Sequence, residues 1–267
     1  VLPSQKRIAE QTLGVPRTLD FLSMNISSSH SESQDCATCC VLLFLRLPEL
    51  DKVKTRLAHG IGQVHALEVY RCFIQDELAT LDGLGAHSLV CFTPEDGGEK
   101  LASWLGADRA YLAQQGGDLG ARMDAAFRDA FARGFDRVLL LGSDIPDVPG
   151  QVLARGLSFL ESFDACLAPS LDGGYYCIGF SKAGYCPAVF RGMAWSTPQV
   201  CTLTQDILAH KKRSVYMLDP WQDVDTREDL AALCTRIGPD DASQTRSYLQ
   251  GTGLWDDLRG KHMRSCP

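Results

Sequence analysis

An apolar run, Val138-Leu139-Leu140-Leu141, stops at Gly142-Ser143-Asp144-Ile145-Pro146-Asp147, which places two carboxylates just past a strand-like segment. Four apolar residues in a row suit a strand buried on both faces. In an open α/β sheet, ligands occupy the crevice beyond the carboxyl ends of the strands, so Asp144 is expected to point into that crevice. Pro146 bars both helix and ladder continuation and keeps Asp144 and Asp147 in a short, stiff loop. Carboxylates held there suit a divalent cation, since Mg²⁺ takes one or two of them together with substrate phosphates. An Asp at a strand end can equally cap the next helix, and position alone leaves both readings open.

A second constellation follows the first apolar strand, in Phe44-Leu45-Arg46-Leu47-Pro48-Glu49-Leu50-Asp51-Lys52-Val53-Lys54-Thr55-Arg56-Leu57. Arg46, Lys52, Lys54 and Arg56 crowd into this loop of an otherwise acidic chain. Between a first strand and a first helix, such cations can receive polyphosphate oxygens, Arg as a bidentate fork and Lys as a mobile point charge. The glycines and the Gly-Lys-Ser/Thr end of a Walker loop are missing. A solvated basic turn is the competing reading.

Four weaker signals accompany these two. Asp172-Gly173-Gly174-Tyr175-Tyr176 is first a hairpin turn, but its glycines also clear room for a ligand, and a tyrosine there can stack on a sugar or base. Gly116-Gly117-Asp118-Leu119-Gly120-Ala121-Arg122 leads glycines into a helix start, with Asp118 either beside a bound anion or acting as the cap itself. Trp195-Ser196-Thr197-Pro198 carries a helix-start signal. In Asp223-Val224-Asp225-Thr226-Arg227-Glu228-Asp229, either Asp225 or Thr226 can cap the helix that follows. Other routes to catalysis find no support. Gly-x-Ser-x-Gly and His-Glu-x-x-His are absent, the histidines avoid the Asp-rich loops, and no Gly-x-Gly-x-x-Gly follows the first strand.

The elements that must position these residues alternate from residue 40 onward. Strands are expected at 40–47, 88–92, 137–142, 164–168, 174–180 and 214–218. Helices are expected at 62–81, 98–105, 118–133, near 150–162, from 196 and over 226–236, with one more within 239–260. Val64, Leu67, Phe73, Ile74 and Leu78 are expected to share the apolar face of the 62–81 helix. This alternation predicts an α/β domain with a mostly parallel sheet. The chain of 267 residues can bury one large core. Its net charge of −7 argues against nucleic-acid or anionic-membrane partners, and no apolar stretch is long enough to span a bilayer.

Eleven cysteines are scattered without a small-domain disulfide framework, which fits a reducing, cytoplasmic setting. Cys36-x-x-Cys39-Cys40 has half of a zinc or redox spacing, with no second half. Residues 1–39 are expected to form a flexible or weakly helical leader without secretory-signal character. A single domain is expected over 40–238 and a helical extension over 239–267.

In this order the motifs resemble the nucleotide-diphospho-sugar transferase-like family with the GT-A fold, some members of which are arsenosugar-biosynthesis glycosyltransferases. The family's first-loop pattern Phe-Ala-Lys-x-Pro-x-x-Gly-x-Val-Lys-Thr-Arg-Leu corresponds to 44–57, with Arg46 in place of Lys and Asp51 in place of Gly. Gly-Asp-Leu-Gly-x-Arg-Met corresponds to 117–123, Gly-Ser-Asp-x-Pro-Asp to 142–147 and Asp-Gly-Gly-Tyr-Tyr to 172–176. Trp-Ser-Thr-Pro corresponds to 195–198 and Asp-Val-Asp-Thr-x-Glu-Asp-Leu to 223–230. The resemblance implies a single Rossmann-like three-layer domain and a transferase using a nucleotide-activated donor, foremost a nucleotide sugar, with Mg²⁺ or Mn²⁺. Relatives such as 2-phospho-L-lactate and molybdenum cofactor guanylyltransferases make nucleotidyl transfer from a triphosphate the alternative. A non-catalytic nucleotide-binding or regulatory protein is the third reading.

Carried over by residue, the resemblance implies that Asp144 holds the metal and Asp225, or else Asp223, completes its site. Arg46, Lys52, Lys54, Arg56, Asp118 and Arg122 are expected around the donor phosphates, Lys54 and Arg56 also assisting the chemistry. Gly173, Gly174, Tyr175, Trp195 and Thr197 are expected around a small-molecule acceptor, with Asp172 as base or hydroxyl anchor. Homodimer formation is left open.

Overall fold

The structure is a computed structural model that describes residues 36–262. Seven strands form its sheet: β1 (Cys36–Arg46), β2 (Ala86–Thr93), β3 (Ala110–Ala113), β4 (Arg137–Gly142), β5 (Ala165–Pro169), β6 (Tyr175–Ser181) and β7 (Val215–Met217). The helices are α1 (Thr55–Ile61), α2 (Gln63–Asp82), α3 (Gly98–Leu105), α4 (Leu119–Ala132), α5 (Gly150–Phe159), α6 (Val200–His210), α7 (Arg227–Arg236), α8 (Ser243–Gly251) and α9 (Leu254–His262). The strand order is β3-β2-β1-β4-β6-β5-β7. Only β6 runs antiparallel to its neighbours, and every other pairing in the sheet is parallel. The α/β class and mostly parallel sheet expected from the sequence are therefore present.

Alternation along the central strands explains the three layers, because successive side chains leave a strand on opposite faces. Val41, Leu43, Leu45, Leu139 and Leu141 join one buried cluster with Phe73 and Ile74 of α2 and Leu153 of α5. Leu42, Phe44 and Leu140 join the other, with Met123 and Phe127 of α4 and Ile178 and Phe180 of β6. Strands covered on both faces must read as continuous apolar runs, as β1 and β4 do. The chain order reverses where β1 lies beside β4, so the loops leaving these strands diverge and open a crevice at their carboxyl ends.

Several expected boundaries shift. The helix expected at 62–81 is α1 and α2, broken at Gly62, whose φ of 87° suits glycine. Val64, expected on the apolar face, is 63% exposed in the first turn after that break, whereas Phe73, Ile74 and Leu78 are buried. The helix expected from Ser196 begins at Val200, because Ser196 adopts a left-handed φ of 63° that no helix accommodates. Edge strand β3 escapes the sequence reading because Ala110–Ala113 is short and only half-buried. The final segment holds two helices, parted at Gly253 (φ 76°). Asp76 of α2 anchors the first of them, accepting from the N–H groups of Gln244 and Thr245 and from the Thr245 hydroxyl.

Strand β1 starts four residues before the expected domain boundary at 40. The expected leader lies outside the described residues up to 35. Cys39 is disulfide-bonded and Cys40 is a buried free thiol, pushed up to about 12 chiefly by burial. Among the described residues no helix is long and apolar enough to cross a membrane.

Candidate active site

Strand ends β1 and β4 are fixed to each other from behind by α2. Tyr70 Oη accepts a hydrogen bond from the Arg46 N–H (3.1 Å) and lies 2.8 Å from Ser143 Oγ. Two turns further along, Glu77 Oε1 accepts from the Ile145 N–H (2.9 Å). Glu77 is fully buried and its Oε2 has no partner, so burial, more than any neighbour, raises its carboxyl well above the usual range. Glu77 thus holds the loop that carries Asp144. Asp147, the second carboxylate of the opening motif, turns away. It makes a two-point ion pair with Arg236 of α7 (2.6 and 3.0 Å) and is almost completely buried. It shapes the loop and is unavailable to a cation.

Lys54 stands at the centre of the crevice. It occupies the N-cap position of α1 in the left-handed region (φ 47°), and its side chain is 4% exposed. Its ammonium lies 2.6 Å from Asp144 Oδ1, 2.9 Å from Asp225 Oδ1 and 2.6 Å from the Val224 carbonyl. The Val224 N–H in turn donates to the Asp144 carbonyl (2.9 Å), closing a ring through three separate loops. Burial alone would lower the Lys54 pKa, but Asp144 and Asp225 overcompensate and hold it above the usual lysine range. Arg56 also pairs with Asp225. For Asp225, burial opposes ionisation, yet Lys54 and Arg56 prevail and keep its carboxyl below the usual range.

Two adjoining cavities share Phe44, Leu119, Ser143 and Asp144 as a common wall. The first, about 390 Å³, collects Arg46, Lys52, Lys54, Arg56 and Arg122 with Asp144 and Asp225. The second, about 320 Å³, is lined by Asp144, Asp172, Gly174, Tyr175, Trp195, Thr197 and Asp223. In it, burial and then the charges of Asp172, Asp225 and Asp144 push the Asp223 carboxyl up to about 6. Asp172 Oδ1 accepts from the Gly174 N–H (2.9 Å) and from the Ser170 hydroxyl, which fixes the carboxylate at the β5–β6 hairpin.

Most of the expected residues converge, and three do not act as expected. Asp118, expected near the donor phosphates, caps α4 by accepting from the Ala121 N–H (2.7 Å), so its own carboxylate takes the place of an anion there. Gly173, expected at the acceptor, clears room for the chain itself: a Cβ there would stand 2.2 Å from the Pro198 carbonyl oxygen. Asp225, expected as a metal ligand, has both oxygens engaged by Lys54 and Arg56, whereas Asp223 faces Asp144 across the second cavity. Asp51 lies outside the basic cavity and lines a neighbouring one. Its φ of 63° reproduces the left-handed turn for which the family pattern has glycine.

Tyr70 and Glu77 were missed by motif reading, and Gln114, which opens the segment that leads into the Gly116-Gly117-Asp118 helix start, has a structural role there. Gln114 Nε2 donates to the carbonyls of Leu45 (3.2 Å) and Cys91 (2.9 Å), tying β1 to β2 beneath the cleft. Helical periodicity makes Tyr70 look like any core residue. The one available signal was Glu77 standing at helical spacing from Phe73 and Ile74, on the apolar face of α2.

A divalent cation fits this donor set in a limited way. Among the described residues no group of three or more His, Cys, Asp or Glu side chains is arranged to hold a metal. Asp144 nevertheless engages Lys54 through Oδ1 alone among the described residues, has a side chain 45% exposed, and shares the second cavity with the hard carboxylate oxygens of Asp172 and Asp223. One or two carboxylates completed by substrate phosphates is the habit of Mg²⁺ and Mn²⁺ rather than of a protein-built cage.

Comparison with known proteins places this geometry in context. Residues 78–197 match the family model DUF2064, described as an uncharacterised protein conserved in bacteria. A solved structure of a provisionally named nucleotide-diphospho-sugar transferase from Desulfovibrio desulfuricans G20 is 39% identical, with a TM-score of 0.79; the match covers 84% of this chain and 98% of that one. A nucleotidyl transferase from Methanothermobacter thermautotrophicus is 14% identical over 73% of this chain and 95% of that one (TM-score 0.49). The inositol-1-phosphate CTP transferase from T. maritima is 13% identical over 80% and 97% (TM-score 0.45). No curated protein matches the chain.

Proposed function

This chain belongs to the same family as the provisionally named nucleotide-diphospho-sugar transferase of Desulfovibrio desulfuricans G20, and from that premise we propose that it is a metal-dependent glycosyltransferase using a nucleotide-diphospho-sugar. One observation carries the reading: four cationic side chains of the β1–α1 segment and Arg122 of α4 converge on a cleft bounded by Asp144. A diphosphate is the ligand that such a cleft neutralises, and Arg and Lys at its phosphates act electrostatically as charge develops on the leaving group.

In this proposal Arg46, Lys52 and Arg122 bind the donor phosphates, while Lys54 and Arg56 sit nearest the bond that breaks. Asp144 and Asp223 are the residues that would hold Mg²⁺ or Mn²⁺, which supplies Lewis-acid neutralisation of the diphosphate. Asp172 accepts the proton of the acceptor hydroxyl through Oδ2, the oxygen that neither Ser170 nor Gly174 occupies. Trp195, Tyr175, Gly174 and Thr197 form the acceptor wall. A cytoplasmic setting and the arsenosugar chemistry of some relatives belong to the same proposal.

Calorimetric titration of UDP-, GDP- and dTDP-sugars with Mn²⁺ tests the donor site. Asp144→Ala is expected to abolish the Mn²⁺-dependent part of the binding, and metal-dependent binding that persists in this variant removes Asp144 from the site. Nucleotidyl transfer is the second reading, favoured by the same basic loop, which can grip a triphosphate. Pyrophosphate release from nucleoside triphosphates with phosphorylated small molecules would establish it instead.

A further inference from the structure

The two cavities on either side of Asp144 differ in charge. All five cations, Arg46, Lys52, Lys54, Arg56 and Arg122, lie in the donor cavity. The adjoining cavity contains Asp144, Asp172 and Asp223, and no Lys, Arg or His contributes to its lining. Its remaining wall combines aromatic and aliphatic side chains, among them Trp195, Tyr175 and Met123, with the hydroxyls of Ser143, Ser170, Ser196 and Thr197.

Resting on the glycosyltransferase reading above, we propose that the acceptor is an uncharged or amine-bearing hydroxyl compound of sugar type, and that phosphorylated acceptors are excluded. A phosphate monoester entering this cavity would meet the carboxylates of Asp172 and Asp223, while Lys54 behind Asp144 is already committed to Asp144 and Asp225, and like-charge juxtaposition costs several kcal/mol. A divalent ion held by Asp144 and Asp223 would be needed to neutralise the donor diphosphate and would leave little positive charge for a second phosphate. A sugar, by contrast, lays its apolar face on Trp195 and directs hydroxyls to Asp172, the arrangement in which aromatic walls and a few placed polar groups give orientation.

The step that follows is balanced without a further reactant. The acceptor oxygen bonds to the anomeric carbon, the bond from that carbon to the diphosphate oxygen breaks, and its electron pair leaves with the nucleoside diphosphate. The acceptor proton passes to Asp172. Nucleotidyl transfer onto a sugar phosphate requires the anionic acceptor that this cavity repels, so the charge asymmetry also separates the two chemistries.

The test uses the full chain saturated with UDP or GDP and Mn²⁺, whichever calorimetry shows to bind. Methyl β-D-glucoside, glucosamine and glucose 6-phosphate are then titrated, following the intrinsic fluorescence to which Trp195 contributes. The two phosphate-free ligands are expected to bind at least about tenfold more tightly than the phosphate ester. Equal or tighter binding of glucose 6-phosphate, or failure of both phosphate-free ligands to bind, overturns the proposal. Failure of the nucleotide to bind refutes the donor reading instead, and the two failures are thereby distinguishable. Asp172→Asn should narrow the discrimination, and Thr197→Arg, at the partly exposed rim, should improve glucose 6-phosphate binding. If either folded variant leaves the preference unchanged, the carboxylates are not its cause.

Discussion

Lys54 and Asp144 reach each other from the loops that leave two adjacent parallel strands and form an ion pair at 2.6 Å. The lysine is almost completely buried and the aspartate nearly half exposed, so the pair presents a negative face to the crevice while its positive partner is held beneath. Phe73 and Tyr70 lie under the ammonium at 5.5 and 5.9 Å from their ring centroids, adding attraction to an otherwise costly buried charge.

Replacing Lys54 by Met should therefore weaken both structure and binding. Breaking a fully buried pair typically costs about 3–5 kcal/mol, but Asp144 and Asp225 retain access to water, so a loss of about 1–2 kcal/mol is expected in urea denaturation. Donor affinity should fall roughly 10- to 100-fold, because the ammonium that fixes Asp144, Asp225 and the Val224 carbonyl beside the cleft, and whose charge offsets theirs, is lost. Unchanged nucleotide-sugar affinity by calorimetry would remove Lys54 from the phosphate site.

Glu77→Gln should change how stability depends on pH. The folded carboxyl titrates well above its unfolded value because it is buried, so the native state binds the extra proton in the interval between them. Stability due to Glu77 is thus intact below the unfolded pKa of about 4.3 and is lost as pH rises through the folded value. The amide keeps an acceptor for the Ile145 N–H and cannot ionise. Urea midpoints at pH 5 and pH 8 should lie closer together in the variant than in the parent protein, with the gain at pH 8.

Gly173→Ala tests the support of the acceptor wall. Gly173 has a φ of 91°, and its new Cβ would overlap the Pro198 carbonyl at 2.2 Å. Overpacking of this kind costs about 1–3 kcal/mol, which corresponds to roughly 2–10 °C in Tm for a domain of this size. Because Pro198 adjoins Trp195, the variant should also alter tryptophan emission. A shifted Tm without any spectral change would show that the hairpin moves independently of the Trp195 segment.

Local sequence was sufficient wherever one element's own pattern decides the outcome. The boundaries of α3 and β4 are those expected, and Thr226 with Asp229 forms the capping box of α7 that the acidic helix start foreshadowed. Asp144 was legible as a site residue because a doubly buried strand must end at the crevice rim. Local sequence failed where a distant backbone intervenes. Pro198 looks like the first residue of a helix, but that segment instead packs against Gly173, and α6 begins later.

The sequence by itself determined the alternating elements, the sheet class and the list of charged residues available to a site, because periodicity and turn chemistry act over a few neighbours. Only the tertiary structure decided how those charges pair. Lys54, Asp144 and Asp225 come from three loops, and their distances depend on a left-handed turn, on the Tyr70 and Glu77 contacts and on burial, none of which is encoded in spacing. For the same reason, only the fold separated the cations from the carboxylates of the adjoining cavity.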